Sequence, residues 1–273
     1  MRGARPERAL DAAVRTAMRD AGDGRILIAC SGGPDSVALA SVLERLHREP
    51  AEPPVLGHVN HGRRPGAYQD ECVALAVASR LGLPFAVARP RIERDDEQTL
   101  RDARYGALEQ LARSYGCTVV VTAHTAEDQT ETVLLALFRG TGLSGLGGMR
   151  RRRTLADGVT LVRPLLRVTH AELAVELRRS GLPYARDPTN DDRRYRRNAL
   201  RATLEQLRDD FPHLDRAVAR CAAIAADEAD GAPAAAQRRH IRHRLRAARG
   251  EIEVGFGAVE EARSRTPVDE SAR

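Results

Sequence analysis

Residues 25–46 read RILIACSGGPDSVALASVLERL, an apolar run, a glycine pair and a helix-patterned stretch with nothing between them. RILIAC has the length and composition of a buried strand, and Val37, Leu39, Ala40, Leu43 and Leu46 fall on one helical stripe. The six residues Ser31, Gly32, Gly33, Pro34, Asp35 and Ser36 must turn the chain between them. The glycines permit positive φ and close backbone approach, and Pro34 suits a first helical turn. The helix start then offers unpaired N–H groups and the positive end of its dipole, so the loop is an anion cradle to which Ser31 and Ser36 add hydroxyls. Asp35 has the wrong sign for phosphate and fits as a group that orients donors or holds Mg²⁺. Neither the spacing nor the lysine of a Walker loop is present. Taken alone, such a turn is more often only a turn.

Outward from this unit, four more apolar runs read as strands at 55–60, 84–89, 118–123 and 159–164. Helical stripes separate the first four strands: Cys72, Leu75, Ala76 and Leu81 form one, and Leu100, Ala103, Ala107, Leu108 and Leu111 another. The alternation predicts an α/β fold, a parallel twisted sheet with helices on both faces, followed by a small helical extension. Ligands then bind beyond the carboxyl ends of the strands, which selects loops 31–36, 60–66, 89–98 and 124–128. The glycine-rich segment GTGLSGLGG within 140–165 is expected to be a mobile loop before a hairpin turning at Asp157-Gly158. Thr169 and Glu172 fit a capping box opening a helix to about Ser180, with Gly181 as its stop. Residues 196–229 read as helix, interrupted near Pro212. The expected organisation is an N-terminal helix in 1–24, a nucleotide domain over 25–205 and a helical extension over 206–273 with a disordered end.

The 44 basic residues are all arginine, against 38 acids, for a formal net charge of +6. Without lysine, no lysine side chain can contact phosphate or form a covalent intermediate. Between residues 150 and 201 stand fourteen arginines and six acids, and elsewhere thirty arginines and thirty-two acids. The excess thus belongs to one segment, the expected footprint for a polyanion, in which Arg150, Arg151, Arg152, Arg153, Arg193, Arg194, Arg196 and Arg197 are the candidate RNA contacts. No apolar run is long enough to span a membrane, and the N-terminus lacks the apolar centre of a secretory signal. Cys30, Cys72, Cys117 and Cys221 are scattered with no C-x-x-C pair, which argues against a disulfide framework or a thiolate metal site. These features predict a soluble cytoplasmic protein.

The string S-G-G-x-D-S after the first strand resembles the pyrophosphate loop of the N-type ATP pyrophosphatases, which implies adenylation chemistry. HVNHGRRPGAYQDE (58–71), AHTAEDQTETVLLALFRGTGLSGLGGM (123–149), RPLL (163–166) and LPYARDPTNDDRRYRRNALR (182–201) then resemble segments of the tRNA(Ile)-lysidine synthases in unbroken order. Chance agreement of several such motifs is negligible. The resemblance implies a carbon–nitrogen ligase that uses ATP and Mg²⁺. It would adenylate the wobble cytidine of tRNA(Ile) with a CAU anticodon and join free L-lysine to it, with self-association as a homodimer left open. By the same resemblance, Ser31 to Ser36 with His58 and Asn60 bind the nucleotide.

His124, Asp128 and Glu131, spaced i, i+4 and i+7, would share one helical face. Asp128 and Glu131 could hold Mg²⁺ or the lysine ammonium, with Asp35 and Asp128 as the metal candidates, and one of these carboxylates or His124 could take the proton lysine must lose. Arg104, Arg101 and Arg201 could stabilise phosphate, although each alone reads equally well as a surface ion pair; the resemblance favours Arg104 and Arg201. Glu127 stands where the family usually has aspartate and reads as a helix-start carboxylate without further task. Asp187 and Asn190 fit a turn, Tyr68, Tyr105 and Tyr184 packing, and His240 and His243 a solvated basic helix. The rivals are an RNA thiolase of the same superfamily, which the scattered cysteines disfavour, and a catalytically silent nucleotide- or RNA-binding protein. About seventy residues follow Arg201, fewer than in many relatives, so either this is a short form in which the helices after 201 suffice or part of the RNA-recognition surface is lost.

Overall fold

The structure, a computed structural model, describes residues 6–19, 21–22, 24–47, 52–62, 66–92, 94, 96–186 and 196–231. The apolar runs become β1 (Ile26–Ala29), β2 (Val55–Val59), β3 (Phe85–Ala88), β4 (Val119–Val121) and β6 (Val159–Val162), and a further strand, β5 (Arg152–Ala156), precedes β6. The sheet order is β3-β2-β1-β4-β6-β5, parallel except for β5, which pairs antiparallel with β6 through the turn at Asp157 and Gly158. Period 2 assigns the strand side chains to two cores. Ile28, Leu56, Val119, Val121 and Val162 face one side; Leu27, Val55, Val120, Val159 and Leu161 face the other.

The first core is covered by α1 (Pro6–Arg19), α2 (Pro34–Leu46), α3 (Ala67–Leu81) and α7 (His170–Ser180), through residues such as Val14, Leu39, Val77 and Leu173. The second is covered by α4 (Glu97–Ser114), whose Tyr105, Leu108 and Leu111 supply the stripe. Thr169 caps α7, its hydroxyl accepting from Glu172 N–H while Glu172 accepts from Thr169 N–H at 2.9 Å, and Gly181 ends the helix at φ +61°. Among the described residues no helix is long and apolar enough to cross a membrane.

The hairpin expected at Asp157-Gly158 is present as β5 and β6, with β5 largely exposed and rich in arginine at the open edge of the sheet, and one segment differs from expectation. The glycine-rich segment is not an open loop. It forms the short helix α6 (Leu143–Leu146) after α5 (Ala126–Phe138) and lies against α9 (Leu214–Ala229). A Cβ on Gly147 would sit 3.1 Å from Ala226 Cα. The buried amide of Gln129 donates to the carbonyls of Gly147 and Met149 and accepts from Met149 N–H at 2.8 Å. Gly147 and Gly148 pack closely against Ala226 and Gln129, and the Gln129 side chain fixes the backbone they leave bare. Between α8 (Arg196–Asp210) and α9 the helix breaks at 211–213, beside Pro212.

Candidate active site

The loop after β1 closes on its own hydroxyls. Ser36 Oγ donates to Gly33 O at 2.9 Å and accepts from Ser31 N–H at 3.2 Å, and Ser31 Oγ accepts from Gly33 N–H at 3.3 Å. Gly32 has φ +87°, and a Cβ there would meet Asp70 O at 2.9 Å, so both backbone conformation and space demand glycine. The carbonyl of Gly32 accepts from Ala185 N–H at 2.9 Å, which ties the loop to the segment after α7.

α2 and α7 run side by side in the same direction and in register. Asp35 Oδ1 lies 3.0 Å from His170 Nδ1, and six residues further along each helix Ser41 Oγ donates to the buried Glu176 at 2.8 Å. Arg45 and Arg179 also hold Glu176, whose carboxyl stays below the ordinary range because these donors outweigh its burial. This internal clamp fixes His170 opposite Asp35. Burial opposes a charge on His170, but the Asp35 hydrogen bond and the charges of Asp35, Glu127 and Asp128 outweigh it and raise its pKa to about 9. Since this lies above the unfolded value near 6.5, the ion pair stabilises the fold fully below about pH 6.5 and is lost as pH rises through about 9. NMR titration of the imidazole should find His170 charged at neutral pH, and Asp35→Asn should bring its pKa down towards the ordinary value; an unshifted His170 in the parent protein would refute the pairing.

Glu127 does more than favour a helix start. It is buried, and its Oε1 accepts the His170 backbone N–H at 2.9 Å, fastening α7 to α5. Glutamate at this position thus reaches a partner on another element.

The expected helical triplet separates into three roles. α5 begins at Ala126 with Thr125 as its cap, so His124 precedes the helix. Its Nδ1 lies 2.9 Å from Thr122 Oγ1. Burial and the positive charges of Arg104, Arg163, Arg197 and Arg101 push its pKa well below the usual histidine range, so the ring is neutral. Asp128 completes the capping box, its Oδ2 accepting from Thr125 N–H at 3.0 Å. Glu131 is buried under two arginines: Arg197 Nε and Arg201 Nε each donate to it at 2.7 Å. Burial opposes its charge, yet these donors hold its pKa below the ordinary carboxylate value. Glu131 is thus already neutralised, which leaves it poorly suited to metal or lysine, whereas Arg201 is held at the rim of the cleft.

Ser31, Asp35, Ser36, His124, Asp128 and Arg201 line one cleft of about 550 Å³, together with His170, Tyr184 and Arg186. The N-termini of α2, α5 and α7 all meet it, so three helix dipoles present their positive ends to the same space. Sequence reasoning missed His170 because only the tertiary packing of α7 against α2 brings it to Asp35. Its place beside the Thr169 cap marked it as a helix start and nothing more.

His58 and Asn60 are drawn into the scaffold. His58 is buried and its Nδ1–H donates to Cys30 O at 2.8 Å, bracing the strand before the loop, while burial lowers its pKa. Asn60 donates to Glu71 at 2.7 Å and accepts from Gly62 N–H at 2.8 Å. Arg101 and Arg104 stack over Tyr105 at 5.5 and 5.4 Å. Within the arginine-rich segment, Arg150 forks onto Asp230 at 2.8 and 3.0 Å, and Arg197 is bound to Glu131. Arg151, Arg152, Arg153 and Arg196 are exposed. The surplus counted along the chain is therefore smaller in space, because acids from outside the segment fold onto it. Arg193, Arg194, Asp187, Asn190, His240 and His243 lie outside the described residues.

A family model described as a PP-loop domain matches residues 6–207. The tRNA(Ile)-lysidine synthase of Synechococcus sp. is 40% identical over 207 residues, which cover 76% of this chain and 64% of that protein. That of Bradyrhizobium diazoefficiens is 43% identical over 187 residues, covering 67% and 52%. The chain thus spans about half to two thirds of the length of these curated relatives. Among solved structures, a U34-tRNA thiolase from Methanococcus maripaludis aligns with a TM-score of 0.67 at 16% identity, covering 80% of this chain and 77% of that one, a likeness of fold.

Proposed function

This chain belongs to the PP-loop domain family, and from that premise we propose that it is an ATP-dependent ligase joining free L-lysine to C2 of the wobble cytidine of tRNA(Ile) with a CAU anticodon. The observation that carries the reading is the meeting of the phosphate loop, three helix N-termini, Asp128 and Arg201 in one cleft, in a chain similar to proteins named for that reaction. In this reading residues 25–205 form the ATP-using unit and the helices after it support the RNA side.

The loop amides and the Ser31 and Ser36 hydroxyls hold the pyrophosphate end of ATP. The cytidine C2 oxygen attacks the α-phosphorus, and the bond to pyrophosphate breaks. Arg201, oriented by Glu131, counters charge developing on the phosphoryl oxygens. The lysine ε-amine then attacks C2, the C2–O bond breaks, AMP leaves and one proton is shed. Asp128 Oδ1 is outside the capping box but 3.8 Å from Arg197 Nη2, so it would serve either the lysine ammonium or, with Asp35, Mg²⁺, and not both at once. His124 is neutral and can accept a proton without first losing one; phosphate charge entering the cleft offsets the arginine field and raises its basicity. Asp35 and Asp128 on one cleft suit Mg²⁺, which takes one or two carboxylates with substrate phosphates and water. There it would neutralise the triphosphate.

The thiolase alternative has less support. Cys30 and Cys117 are buried, Cys72 and Cys221 exposed, each on a separate part of the fold, so no two of them are paired as thiolate chemistry would need. The protein should incorporate labelled lysine into a tRNA(Ile) CAU transcript in the presence of ATP and Mg²⁺. No RNA-bound label, in an assay where a known synthase gives it, would remove the proposal.

A further inference from the structure

Around Tyr105 four guanidinium groups gather with no carboxylate partner among the described residues. Arg153 stacks on the ring at 4.7 Å, Arg104 at 5.4 Å and Arg101 at 5.5 Å, and Arg163 donates to the phenol oxygen at 3.1 Å. Arg163 is 2% exposed, and its Nε is buried without a hydrogen-bond acceptor. Such a charge is tolerated inside a protein only when something balances it. One backbone carbonyl, Arg150 O at 2.8 Å, and a neutral phenol do not. The field reaches its neighbours: despite burial, which acts the other way, the arginines lower the Tyr105 phenol below its ordinary pKa, and His61 is pushed down by burial and then by Arg104.

The position of the cluster says which anion would balance it. Arg163 directly follows β6 and Arg153 lies in the first half of the open edge strand β5, two and three strands from the phosphate loop at the end of β1. At the usual strand spacing that is roughly 10–15 Å along the carboxyl edge of the sheet. His124, at the end of β4, lies between: it lines the ATP cleft and feels Arg104 and Arg163. Arg153 is exposed on the open edge strand, a place suited to an extended polyanion rather than an enclosed seat for a mononucleotide.

We propose that Arg101, Arg104 and Arg153, laid on the Tyr105 ring and backed by the buried Arg163, bind a backbone phosphodiester of the RNA substrate, next to the nucleotide whose base enters the cleft. This rests on the reading that the substrate is RNA, and assigns the cluster to its backbone rather than to ATP. Arg163 is a positioning residue that holds the phenol and the β5 backbone; the other three make the contact.

The test uses the full chain and a tRNA(Ile) CAU transcript. Arg153→Gln and Arg101→Gln should each weaken RNA binding about 5- to 10-fold near physiological salt and lower the slope of log K against log salt by about 1, as for one lost phosphate contact. ATP affinity, measured without RNA, should stay within about twofold. Arg178→Gln, at an exposed position on α7, controls for the loss of any surface charge and should change neither. If Arg153→Gln matches that control, the cluster is not an RNA site. If ATP affinity falls while RNA binding holds, the phosphate is that of ATP and the assignment is overturned, as it is if the parent chain binds no RNA. Lysine incorporation by the parent chain is scored separately: RNA binding lost in Arg153→Gln without lysine transfer in the parent would retain this site and discard the ligase reading. Because Arg163→Met could fail to fold, the exposed Arg153 variant carries the decision.

Discussion

Asp35→Ala is expected to lower ATP-dependent turnover on the order of 10²- to 10³-fold, the usual effect of removing one preorganised electrostatic contact from a phosphoryl-transfer site. Asp35 is the only carboxylate of the phosphate loop, and it sits on the first turn of α2 with one oxygen given to His170. In the proposed mechanism the other oxygen serves Mg²⁺. The stability effect should be small by comparison. The side chains of Asp35 and His170 are 27% and 46% exposed, so solvent screens the pair, and an exposed ion pair contributes about 0–1 kcal/mol. A thermal melt near that of the parent, beside lost single-turnover adenylation, would separate chemistry from folding. Turnover within a factor of about three of the parent would show that Asp35 has no part in it.

Glu131→Ala is expected to damage both stability and activity. The carboxylate is 1% exposed, and its removal takes from Arg201 its ion-pair partner and leaves Arg197 only the Asp128 carboxylate 3.8 Å away, the two guanidinium groups being 25% and 31% exposed for Arg197 and Arg201. Breaking a buried pair from one side costs about 3–5 kcal/mol, and the partial exposure of the arginines places this case near about 3. α8 should loosen from α5, and Arg201 should leave the cleft rim. Denaturant unfolding measures the first, and a fall in turnover that persists at saturating ATP the second. Because Glu131 is held below its ordinary pKa, its stabilisation is present above the unfolded value near 4.3 and is lost as pH falls through the lower folded value. The stability difference between parent and variant should therefore shrink in acid. Equal stability of the two at neutral pH would contradict the clamp.

Much of the fold was legible because local rules agreed with the global result. The strand runs, the Thr169 and Glu172 box, the Gly181 stop and the break near Pro212 are all encoded within a few residues, so each could be read without knowing its neighbours in space. The exposed, arginine-rich β5 was legible only through the turn signal at Asp157-Gly158, since an edge strand needs no hydrophobic face. The packing of the glycine segment could not be read, because it depends on Gln129 twenty residues earlier and on Ala226 far down the chain.

The candidate site divided the same way. Ser31, Gly33 to Ser36, His124, Asp128 and Arg201 were named from the chain and share a cleft. His58 and Asn60 were named with them and brace the strands and turn beneath it. The spacing of His124, Asp128 and Glu131 suggested one shared task, but His124 lies before the cap, Asp128 builds it, and Glu131 is consumed by two arginines. Periodicity says which way a side chain leaves its own helix and says nothing about what arrives from another.

By itself, the sequence determined the parallel sheet, the anion-binding turn after its first strand and the chemistry available there, arginine and backbone amides without lysine. These follow from local propensity, hydrophobic period and residue type. Only the tertiary structure decided how the charges are spent. It set His170 on Asp35, Glu131 under Arg197 and Arg201, and Asp230 on Arg150, while leaving four arginines around Tyr105 without an acid among the described residues. Coulomb interactions act over a few ångströms in space, and residues that near are often separated by a hundred or more along the chain.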